Sequence, residues 1–528
     1  MKFQIKYALL GIILPVLLFS ACKKEWDDHN AMNDPAQAQT ILEAIKKDPQ
    51  LSKFSEYLEK TGYDNVIAAS KTFTIWAPTD AALQNVDPSE LNTDEKLKLF
   101  VGNHIATQAF LSSNVPGAYI RVKTLSGKNV TLSSTSVDGI PLLSKDYYVG
   151  NGVIHTINSA IVPKLNAWEY LMSTQTLQKQ ELQSLNYSYI DYTRAEEIGI
   201  NPTTGKPVYK EGTGIVKANR FLNRHFRNQL TGLVDSNATD ISNENGLFTY
   251  VVLTDDAFKA EKARLSRFYS LSTQDSTDSL TGFSIIKDLV FKGVLEADKL
   301  PSSVYSIGDS VRFHLQKSAI VETHHVSNGI VYVMNSIDYD LTGDGLYDRY
   351  TKIKPIIIEG ESANNSTDFF SVKSNSRPVR KSPDGRVYTQ LLVTNHGVNT
   401  YWVRYRPAAV NSVKYKVYWR VARDYNLTPA ANASDLVYSP MRVAFKSVTP
   451  ATAGFNYVDK PGVLRNGNTF STDYSDYFLG EYTPDKYYST EFKAGAAGGL
   501  SVFLVGNTVT TNGQNDLLLD YIKMVPVL

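Results

Sequence analysis

The spacing of apolar residues divides most of the chain into two regions with different periodicity. In the first region, apolar residues recur at helical spacing, for example at Ile41 and Ile45, and the run 73–77 predicts a buried strand. From Ile356 onward the period changes to two, and alternating segments such as 400–405 predict short antiparallel strands. The pattern therefore predicts mixed helices and strands first and an all-β region last.

The N-terminus has a third pattern, in which a basic start precedes an uninterrupted apolar run. Lys2 and Lys6 lead into the apolar residues 8–19, a run shorter than the roughly 20 residues that a membrane-spanning helix needs. Two small residues then stand directly before Cys22, the single cysteine of the sequence. This order predicts a secretory signal peptide at 1–21.

The small residues before Cys22 resemble the lipobox of Gram-negative lipoproteins. The resemblance implies that the signal is cut before Cys22, which then carries the lipid, and that 22–35 form a tether. The charged stretch 23–28 resembles export tags that direct lipoproteins to the outer cell surface, although it also fits a plain solvated tether. We therefore expect a lipid anchor in the outer membrane and exposure at the cell surface. The alternative is a secreted protein with a stray cysteine in its signal.

Composition and net charge exclude several classes of protein and of functional site. The 528 residues are 42% hydrophobic and 20% charged with a net charge of +1, so sizeable cores can form and a basic nucleic-acid-binding protein is not expected. Because Cys22 is the only cysteine in this sequence, disulfides, thiol catalysis and cysteine-based zinc sites are excluded from the rest of it. The length predicts roughly three domains.

Three motifs in the first region match one family. The first motif is the sequence FTIWAPTDAAL, which predicts an apolar strand followed by a helix. Thr79 or Asp80 is predicted to cap that helix. The motifs resemble, in order, the first signature box, the histidine-bearing helix end and the second signature box of fasciclin domains, and they lie at 73–83, 99–105 and 151–158. The resemblance implies an α+β fasciclin domain over 36–164.

The same pattern then recurs. Residues 247–258 resemble the first fasciclin box, and 327–337 resemble the second, while the histidine of the family is missing between them. The resemblance implies a second fasciclin domain over 165–340. This repeat is longer than the first because of a Tyr- and Asn-rich insertion around 187–214, where 201–214 predict a loop or an exposed hairpin.

A linker at 341–355 leads to 356–528, whose strands predict an antiparallel sandwich. The segments IEGE at 358–361, TYWVRY at 400–405 and LDYIKMVP at 519–526 resemble galactose-binding-like jelly rolls, the fold of many carbohydrate-binding modules. The predicted fold class is therefore multidomain, with two α+β fasciclin domains followed by an all-β jelly-roll sandwich.

No catalytic motif accompanies these regions. None of the eight histidines has the spacing of a helical zinc site, and the sequence contains neither a GxSxG elbow nor a phosphate-binding glycine loop. Whether two carboxylates converge for glycosidase chemistry stays open at this level. We predict a non-catalytic protein.

His104 is the candidate adhesion residue of the first fasciclin repeat. In the family, the histidine at this place and its flanking segment are associated with adhesion and partner contact. The alternative is structural, because a histidine can hydrogen-bond a neighbouring segment and hold the fold. The pairs Thr79-Asp80 and Thr254-Asp255 are predicted to cap helices.

Two acidic clusters are candidate sites for a structural calcium, because calcium prefers oxygen ligands. The first also contains a glycine for a sharp turn, although an acidic turn between domains is its alternative, and it consists of Asp340, Thr342, Asp344 and Asp348. The second depends on the jelly-roll resemblance, in which acids near the first and last strands hold calcium, and it consists of Glu359, Glu361 and Asp520.

Sugar binding requires exposed aromatic rings that stack on pyranose faces, with polar neighbours for the hydroxyl groups. Only half of the aromatic residues of a strand can be exposed, so Trp402 and Trp419 are predicted to pack in the core. The candidate ligand-binding residues lie in loops, and they are Tyr474, Tyr477, Tyr487, Tyr488, Asn512 and Asn515.

The predicted function is that of a cell-surface lipoprotein for adhesion or for protein or glycan interaction. Its partners would be an extracellular glycan or a surface protein, and no nucleic acid. The alternative is an accessory glycan-binding lipoprotein of a polysaccharide-uptake system. An enzyme is the third and most distant reading.

Overall fold

The structure of the chain is a computed structural model that describes most of its residues. The described ranges are 38–69, 71–227, 234–236, 238–343, 348–364, 367–381, 385–394, 401–420, 442–446, 456–457, 476–490, 499–506 and 517–528. The predicted signal peptide, tether and lipidation site lie outside these ranges, and so do the candidate site residues Asp344, Tyr474, Asn512 and Asn515.

The chain divides into two compact units. The first contains the residues up to Asn166 together with Asn243–Asn245 and Val326–Asn328, and the second contains Ala167–Ser242, Gly246–His325 and Gly329–Leu528. The predicted second repeat and the C-terminal strands therefore share one unit. No helix within the described ranges is long and apolar enough to cross a bilayer.

The first unit combines short helices with one sheet. Its helices are α1 (Ile41–Lys47), α2 (Ser52–Thr61), α3 (Tyr63–Ile67), α4 (Asp80–Gln84) and α5 (Asp94–Gly102), with 3-10 turns at Pro49–Leu51, Pro88–Glu90 and Ser112–Asn114. Its strands are β1 (Phe73–Pro78), β2 (Ile105–Ala106), β3 (Ile120–Lys123), β4 (Asn129–Leu132), β5 (Ser136–Val137), β6 (Ile140–Val149) and β7 (Gly152–Ile157).

The strand β1 lies inside this sheet and is buried on both faces. The strand order is β2-β1-β7-β6-β5-β4-β3, and β1 runs parallel to β7. Because side chains alternate along a strand, Phe73 and Ile75 pack in the apolar cluster that contains helix residues such as Phe54. Trp76 points to the other face and joins a second cluster with residues of β3 to β5, such as Val130.

The second unit begins with helices, a hairpin insertion and a second mixed sheet. Its helices are α6 (Ala167–Ser173), α7 (Leu177–Ser184), α8 (Asp255–Leu265) and α9 (Gln274–Ile286), with 3-10 turns at Ser266–Phe268, Ala297–Lys299 and Lys317–Ala319. The strands here are β8 (Asn186–Ile190), β9 (Glu197–Ile200), β10 (Pro207–Tyr209), β11 (Ile215–Asn219), β12 (His225–Arg227), β13 (Val234–Ser236), β14 (Phe248–Leu253), β15 (Val290–Lys292), β16 (Val304–Tyr305), β17 (Arg312–Phe313), β18 (Ile320–Val326) and β19 (Gly329–Met334).

The sheet β15-β14-β19-β18 has the same internal arrangement as β2-β1-β7-β6 of the first unit, with β14 parallel to β19. In both sheets a glycine lies opposite a phenylalanine, Gly152 opposite Phe73 and Gly329 opposite Phe248. Both glycines have positive φ angles, 150° and 147°, and an added Cβ would lie 2.0 Å from the Phe73 oxygen and 1.8 Å from the Phe248 oxygen. The Asn-Gly of each second box therefore allows close approach of the parallel strands.

The Thr-Asp pairs cap helices in both units, as predicted. The Thr79 hydroxyl accepts the first-turn N–H of Ala82 in α4, and Thr254 does the same in α8. Each aspartate instead accepts a backbone N–H at the start of an earlier helix: Asp80 from Lys53 in α2 at 2.9 Å, and Asp255 from Leu177 in α7 at 2.8 Å. One dipeptide thus stabilises two helix N-termini.

The C-terminal region consists of strands and the 3-10 turn Gly360–Ser362 in its described residues. The strands are β20 (Ile356–Glu359), β21 (Phe369–Phe370), β22 (Ser374–Ser376), β23 (Val379–Lys381), β24 (Val387–Thr389), β25 (Leu391–Thr394), β26 (Trp402–Tyr405), β27 (Ala409–Val410), β28 (Lys414–Arg420), β29 (Arg442–Lys446), β30 (Asn456–Tyr457), β31 (Tyr477–Tyr482), β32 (Tyr488–Ser489), β33 (Ser501–Val505), β34 (Leu517–Leu519) and β35 (Tyr521–Val527). The larger sheets have the orders β20-β35-β28-β31, β21-β26-β33-β29-β30 and β22-β25-β34.

The predicted linker at 341–355 is packed at its C-terminal end. Thr351, Lys352 and Ile353 are buried, and the N–H groups of Lys352 and Ile353 donate to the carbonyl oxygens of Asp340 and Leu341 at 2.8 Å. Residues 351–353 are therefore packed within the second unit and are not an exposed connection.

Candidate functional site

His104 follows the end of α5, and its side chain is fully buried. Nδ1–H donates to the Phe100 carbonyl oxygen at 2.9 Å, and Nε2 accepts the Ile161 N–H at 2.9 Å. These bonds require the neutral ring, and burial lowers the pKa of His104 to about 4. A partner cannot reach this ring, so direct adhesion contact by His104 is contradicted and the structural alternative fits.

Asn103 was not singled out as functional by the sequence, yet it acts together with His104. Its Nδ2 group donates to the Ile161 carbonyl oxygen at 3.1 Å, and its Oδ1 atom accepts from the hydroxyls of Thr124 and Ser126 at 3.2 and 3.0 Å. Both backbone groups of Ile161 are therefore held by two consecutive side chains. The two side chains therefore order the segment after β7.

His155, on β7, is a second buried and neutral histidine. Its Nδ1 accepts the Asp146 N–H at 3.2 Å, and its Nε2–H donates to the Phe110 carbonyl oxygen at 2.9 Å. The ring stacks on Trp76 with centres 6.4 Å apart, and burial lowers the pKa of His155. Its contacts indicate a structural role.

The candidate sugar-binding tyrosines separate into one exposed and two buried residues. Tyr477, at the start of β31, exposes 42% of its surface, whereas Tyr487 and Tyr488 expose 8% and 2%. The Tyr487 N–H donates to the Ser270 carbonyl oxygen at 2.7 Å, and its ring centre lies 5.5 Å from that of Tyr269. The prediction that Tyr487 and Tyr488 contact a ligand is therefore wrong, because both rings pack inside the unit.

Trp402 and Trp419 are buried, as predicted. Phe370 lies flat on Trp402, with ring centres 5.2 Å apart and planes within 4°, and its outer side is exposed. Trp402 in turn packs edge-on against Phe503, at 5.2 Å. The sequence did not identify Phe370, although two consecutive phenylalanines on a short edge strand place one of them outward.

In the first candidate calcium cluster, cationic side chains neutralise the carboxylates of the two aspartates that the structure describes. Arg312 Nη1 lies 2.7 Å from Asp340 and 3.4 Å from Asp348, and His314 Nε2 lies 3.0 Å from Asp340. The hydrogen bond to Asp340 raises the pKa of His314, which strengthens this pairing. These residues do not fit a calcium site, because Arg312 occupies the place of the cation. Asp340 and Asp348 therefore fit the acidic-turn alternative better than a calcium site.

The second candidate cluster does bring acids together. Glu359 ends β20 opposite Tyr521 of β35, and Asp520 directly precedes that strand. Burial and the charge of Glu359 raise the pKa of Asp520 to about 7, although Arg420 acts in the opposite direction. The Oε2 atom of Glu361 is buried and has no hydrogen-bond partner among the described residues.

Oxygen donors of this kind suit calcium, which would relieve the repulsion between the carboxylates. Within the described ranges, however, no group of three or more His, Cys, Asp and Glu side chains is arranged as a set of metal ligands. Binding at Glu359, Glu361 and Asp520 would therefore require these side chains to turn toward a common centre.

A buried ionic cluster was missed by the sequence analysis. Lys352 Nζ lies 2.5 Å from Asp288, with both side chains almost completely buried, and Arg224 lies 3.0 Å from Asp309. Burial would raise the pKa of Asp309, but the charges of Lys287 and Arg224 outweigh it and lower that pKa. Every acid in this description has a cationic partner, so the cluster indicates a structural role.

Comparison with known proteins identifies the region that contains His104. Residues 49–163 match the family profile of the Fasciclin domain, so the chain contains a fasciclin domain. The transforming growth factor-beta-induced protein ig-h3 of Sus scrofa is 27% identical over 135 residues, and that of Oryctolagus cuniculus is 26% identical over 135 residues. Each match covers 24% of this chain, and the chain spans 20% of the length of each relative.

One similar solved structure is a FAS1 domain pair from the insect cell adhesion molecule Fasciclin I. It is 14% identical in sequence, and the alignment covers 56% of this chain and 97% of that chain with a TM-score of 0.22.

Proposed function

We propose that this protein is a non-catalytic lipoprotein of the outer cell surface that mediates adhesion. The observation that carries the proposal is the fasciclin domain at 49–163, since the resemblance of its motifs implies adhesion and partner contact. Cys22 would hold the chain to the outer membrane, and a surface protein or an extracellular glycan would be the partner.

The proposed organisation is two fasciclin domains followed by a galactose-binding-like sandwich. The shared strand order of the two mixed sheets and the equivalent Gly152 and Gly329 support a second fasciclin domain over 165–340. The strands from β20 to β35 and their antiparallel pairing support a β-sandwich over 356–528.

Display on a heterologous Gram-negative host tests the anchor and the adhesion together. Cells that produce the full chain are expected to lose it to protease added outside the intact cells, and to attach to surfaces coated with extracellular proteins or polysaccharides. The matched control is Cys22→Ser at equal expression, which removes the acylated thiol and is expected to leave the membrane fraction and reduce attachment to background. Equal attachment of both strains would contradict the proposal.

Glycan binding within a polysaccharide-uptake system is the second candidate function. It is favoured by the exposed side of Phe370, which stacks on the buried Trp402 and forms a rigid flat surface of the kind that sugar rings stack on.

A polysaccharide panel with the full chain tests this candidate. Saturable binding that Phe370→Ala weakens at least tenfold, and that Tyr477→Ala does not, would support stacking at Phe370. Binding of no polysaccharide would remove this candidate and leave the adhesion proposal with a protein partner.

A further inference from the structure

The insertion of the second unit forms an exposed arm. The arm is defined as residues 186–219, in which β8 pairs with β11 and β9 pairs with β10, both antiparallel. Each pair is a two-stranded sheet among the described residues. Isolated two-stranded hairpins are marginal in water, and a third strand or a packed face is what usually stabilises them.

The hydrogen-bond pattern of the arm shows which backbone groups face outward. The Asp191 N–H donates to the Gly214 oxygen at 2.8 Å, and the Arg220 N–H donates to the Leu185 oxygen at 3.1 Å. Alternation along an antiparallel ladder then directs the N–H and C=O groups of 187 and 189 toward β11. Those of 186, 188 and 190 point away from it, along the outer edge of β8.

The outer edge of β8 lacks the features that normally protect a sheet edge. Its sequence NYSYI contains no charge, no proline and no bulge, and all five residues are exposed. The other strands of the arm are protected, because β11 carries Lys217, β10 begins with Pro207, and the β9–β10 pairing is broken by a register shift at Val208. Only the β8 edge of this arm is therefore open to another strand.

One face of β8 also presents an aromatic pair. Tyr187 and Tyr189 lie on the same face with ring centres 6.1 Å apart, and Tyr189 and Ile190 expose 47% and 51% of their surfaces. The partners of these tyrosines across the ladder are Ala218 and Val216, which extend the same face. A partner strand that supplied aromatic rings at the same spacing would complete this face.

We propose that the occupant of this edge is β8 of a second copy of the chain, paired antiparallel about a two-fold axis at Ser188. In that register each Ser188 faces its counterpart, Asn186 faces Ile190, and Tyr187 faces Tyr189. The outward backbone groups of 186, 188 and 190 then exchange hydrogen bonds, and the tyrosines form cross-strand aromatic pairs. No charge meets a like charge, because β8 carries none.

The proposed pairing joins the two hairpins into one four-stranded sheet with the order β11-β8-β8-β11. A sheet of four strands exceeds the two-stranded size that is only marginally stable on its own. The contact is isologous, because the same strand of each copy forms it, as in most two-fold dimers. One strand from each copy is a small interface, below about 1,200 Å², so we expect a reversible dimer whose population depends on concentration.

Cysteine cross-linking of the full-length protein tests the register. In the proposed dimer the two Ser188 Cα atoms lie about 5.5 Å apart, within disulfide range, so Ser188→Cys is expected to form a disulfide-linked dimer under mild oxidation. The matched control is Lys217→Cys, directly opposite on β11. The two Lys217 positions would lie three strand spacings apart, about 14 Å, which is too far for a disulfide. The unaltered protein measures any disulfide formed by Cys22.

Two separate proline substitutions, one on each edge of the hairpin, test the hydrogen bonds of the β8 edge. Ser188→Pro removes an N–H that points outward, so the hairpin keeps its own ladder while the dimer loses the bonds at its centre. We expect at least a tenfold weaker dimer in sedimentation velocity, with an unchanged melting temperature. Lys217→Pro removes an outward N–H from the protected edge and is expected to change dimerisation by less than twofold.

Three results would overturn the proposal. The first is a monomer at every concentration with no Ser188→Cys dimer, which would leave the edge to a strand of another protein. The second is equal cross-linking by Ser188→Cys and Lys217→Cys. The third is a dimer that Ser188→Pro does not weaken. None of these outcomes depends on the adhesion assay, so this inference and the proposed function can fail separately.

Discussion

His104 is a buried base that carries no charge in the folded chain. The stability of the first unit therefore depends on pH through the protonation of this ring. Its pKa is about 4 when folded and 6.5 in the reference state, so the unfolded chain binds the additional proton as the pH falls between these values. The difference between the two pKa values corresponds to roughly 3 kcal/mol of unfolding free energy. This stability is fully present above pH 6.5 and is lost as the pH falls to about 4. His155, whose pKa is also lowered, acts in the same direction.

We therefore expect the first unit to lose stability between pH 6.5 and pH 4 more steeply in the wild type than in His104→Gln. The glutamine variant cannot titrate there, so its stability is lower at pH 7 and its pH dependence is flatter. Hydrogen exchange of peptides covering 99–105 and 158–163, followed by mass spectrometry, measures this for the first unit alone.

His314 provides a control of opposite sign. Its pKa is raised, chiefly by the hydrogen bond to Asp340, so its stabilising contribution is present below its unfolded pKa and is lost as the pH rises through the folded pKa. In His314→Gln we expect the second unit to lose stability at pH 5 and little at pH 8. An acid dependence as steep in His104→Gln as in the wild type would contradict the role of His104, since His155 alone accounts for only part of it.

Asp520 is an acid whose environment favours the neutral form. If calcium binds among Glu359, Glu361 and Asp520, we expect millimolar calcium to raise the melting temperature of the full chain and a chelator to reverse the rise. A concentration of 100 times the Kd would add about 2.7 kcal/mol. Asp520→Asn removes the repelled charge, so it is expected to stabilise the calcium-free protein and abolish the response.

Asp348→Asn is the matched control for this calcium measurement. Asp348 belongs to the acidic turn that Arg312 balances, so its removal is expected to leave the calcium response intact. The same response in Asp520→Asn as in the wild type would rule out calcium at the second cluster.

At the scale of elements, two glycines determine how closely the parallel strands approach. An alanine at Gly152 would place its Cβ 2.0 Å from the Phe73 oxygen, and the φ angle of 150° is one that alanine avoids. Because the obstacle is backbone, β1 and β7 must separate. We expect Gly152→Ala to destabilise the first unit by more than about 3 kcal/mol, beyond the cost of an ordinary substitution.

Gly139→Ala is the matched control in the same unit. Gly139 also has a positive φ, 80°, but an added Cβ would meet no atom within 4 Å. Only backbone strain remains, so we expect a loss of about 1 kcal/mol. Urea unfolding of the full chain, followed by hydrogen exchange of the β1 peptide, compares the two variants. Equal losses would show that strain alone, without the close approach, explains the glycine.

The elements that the sequence predicted correctly are those with local signals. The strand β1 and the caps at Thr79 and Thr254 depend on an apolar run and on a hydroxyl that bonds a residue three positions away. The exposure of Tyr487 was predicted incorrectly, because its burial depends on Ser270 and Tyr269, which are distant in the sequence. Phe370 was missed for the same reason, since its stacking depends on pairing with Trp402.

At the scale of the whole molecule, the sequence predicted three folded regions, whereas the structure groups the chain into two compact units. The second unit depends on contacts that no sequence motif predicts. Ser412 N–H donates to the Phe268 oxygen at 2.9 Å, and Lys352 reaches Asp288 from the predicted linker. Charged residues in a linker normally predict exposure, and their burial depends on acids supplied by distant segments.

We expect Asp288→Asn to destabilise the second unit by roughly 3 kcal/mol, because it leaves the buried charge of Lys352 without its partner. Since this unit contains both β14 and β28, hydrogen exchange is expected to rise in the peptides of both strands. The matched control is Asp298→Asn, whose ion pair with Lys317 is exposed to solvent, so its loss is expected to change the stability little. An effect limited to β14 would argue against one cooperative unit.

The parallel pairing of β1 with β7 has a consequence for the order of folding. Phe73 and Gly152 are roughly 80 positions apart, and Phe248 and Gly329 are separated by a similar length. During synthesis or export from the N-terminus, β1 emerges long before its parallel neighbour exists. Each sheet therefore closes late, through a contact of high sequence separation, which slows folding. A chain interrupted before Gly152 could pair β1 only with the short strand β2, so the edge of β1 that β7 covers would stay open to chaperones.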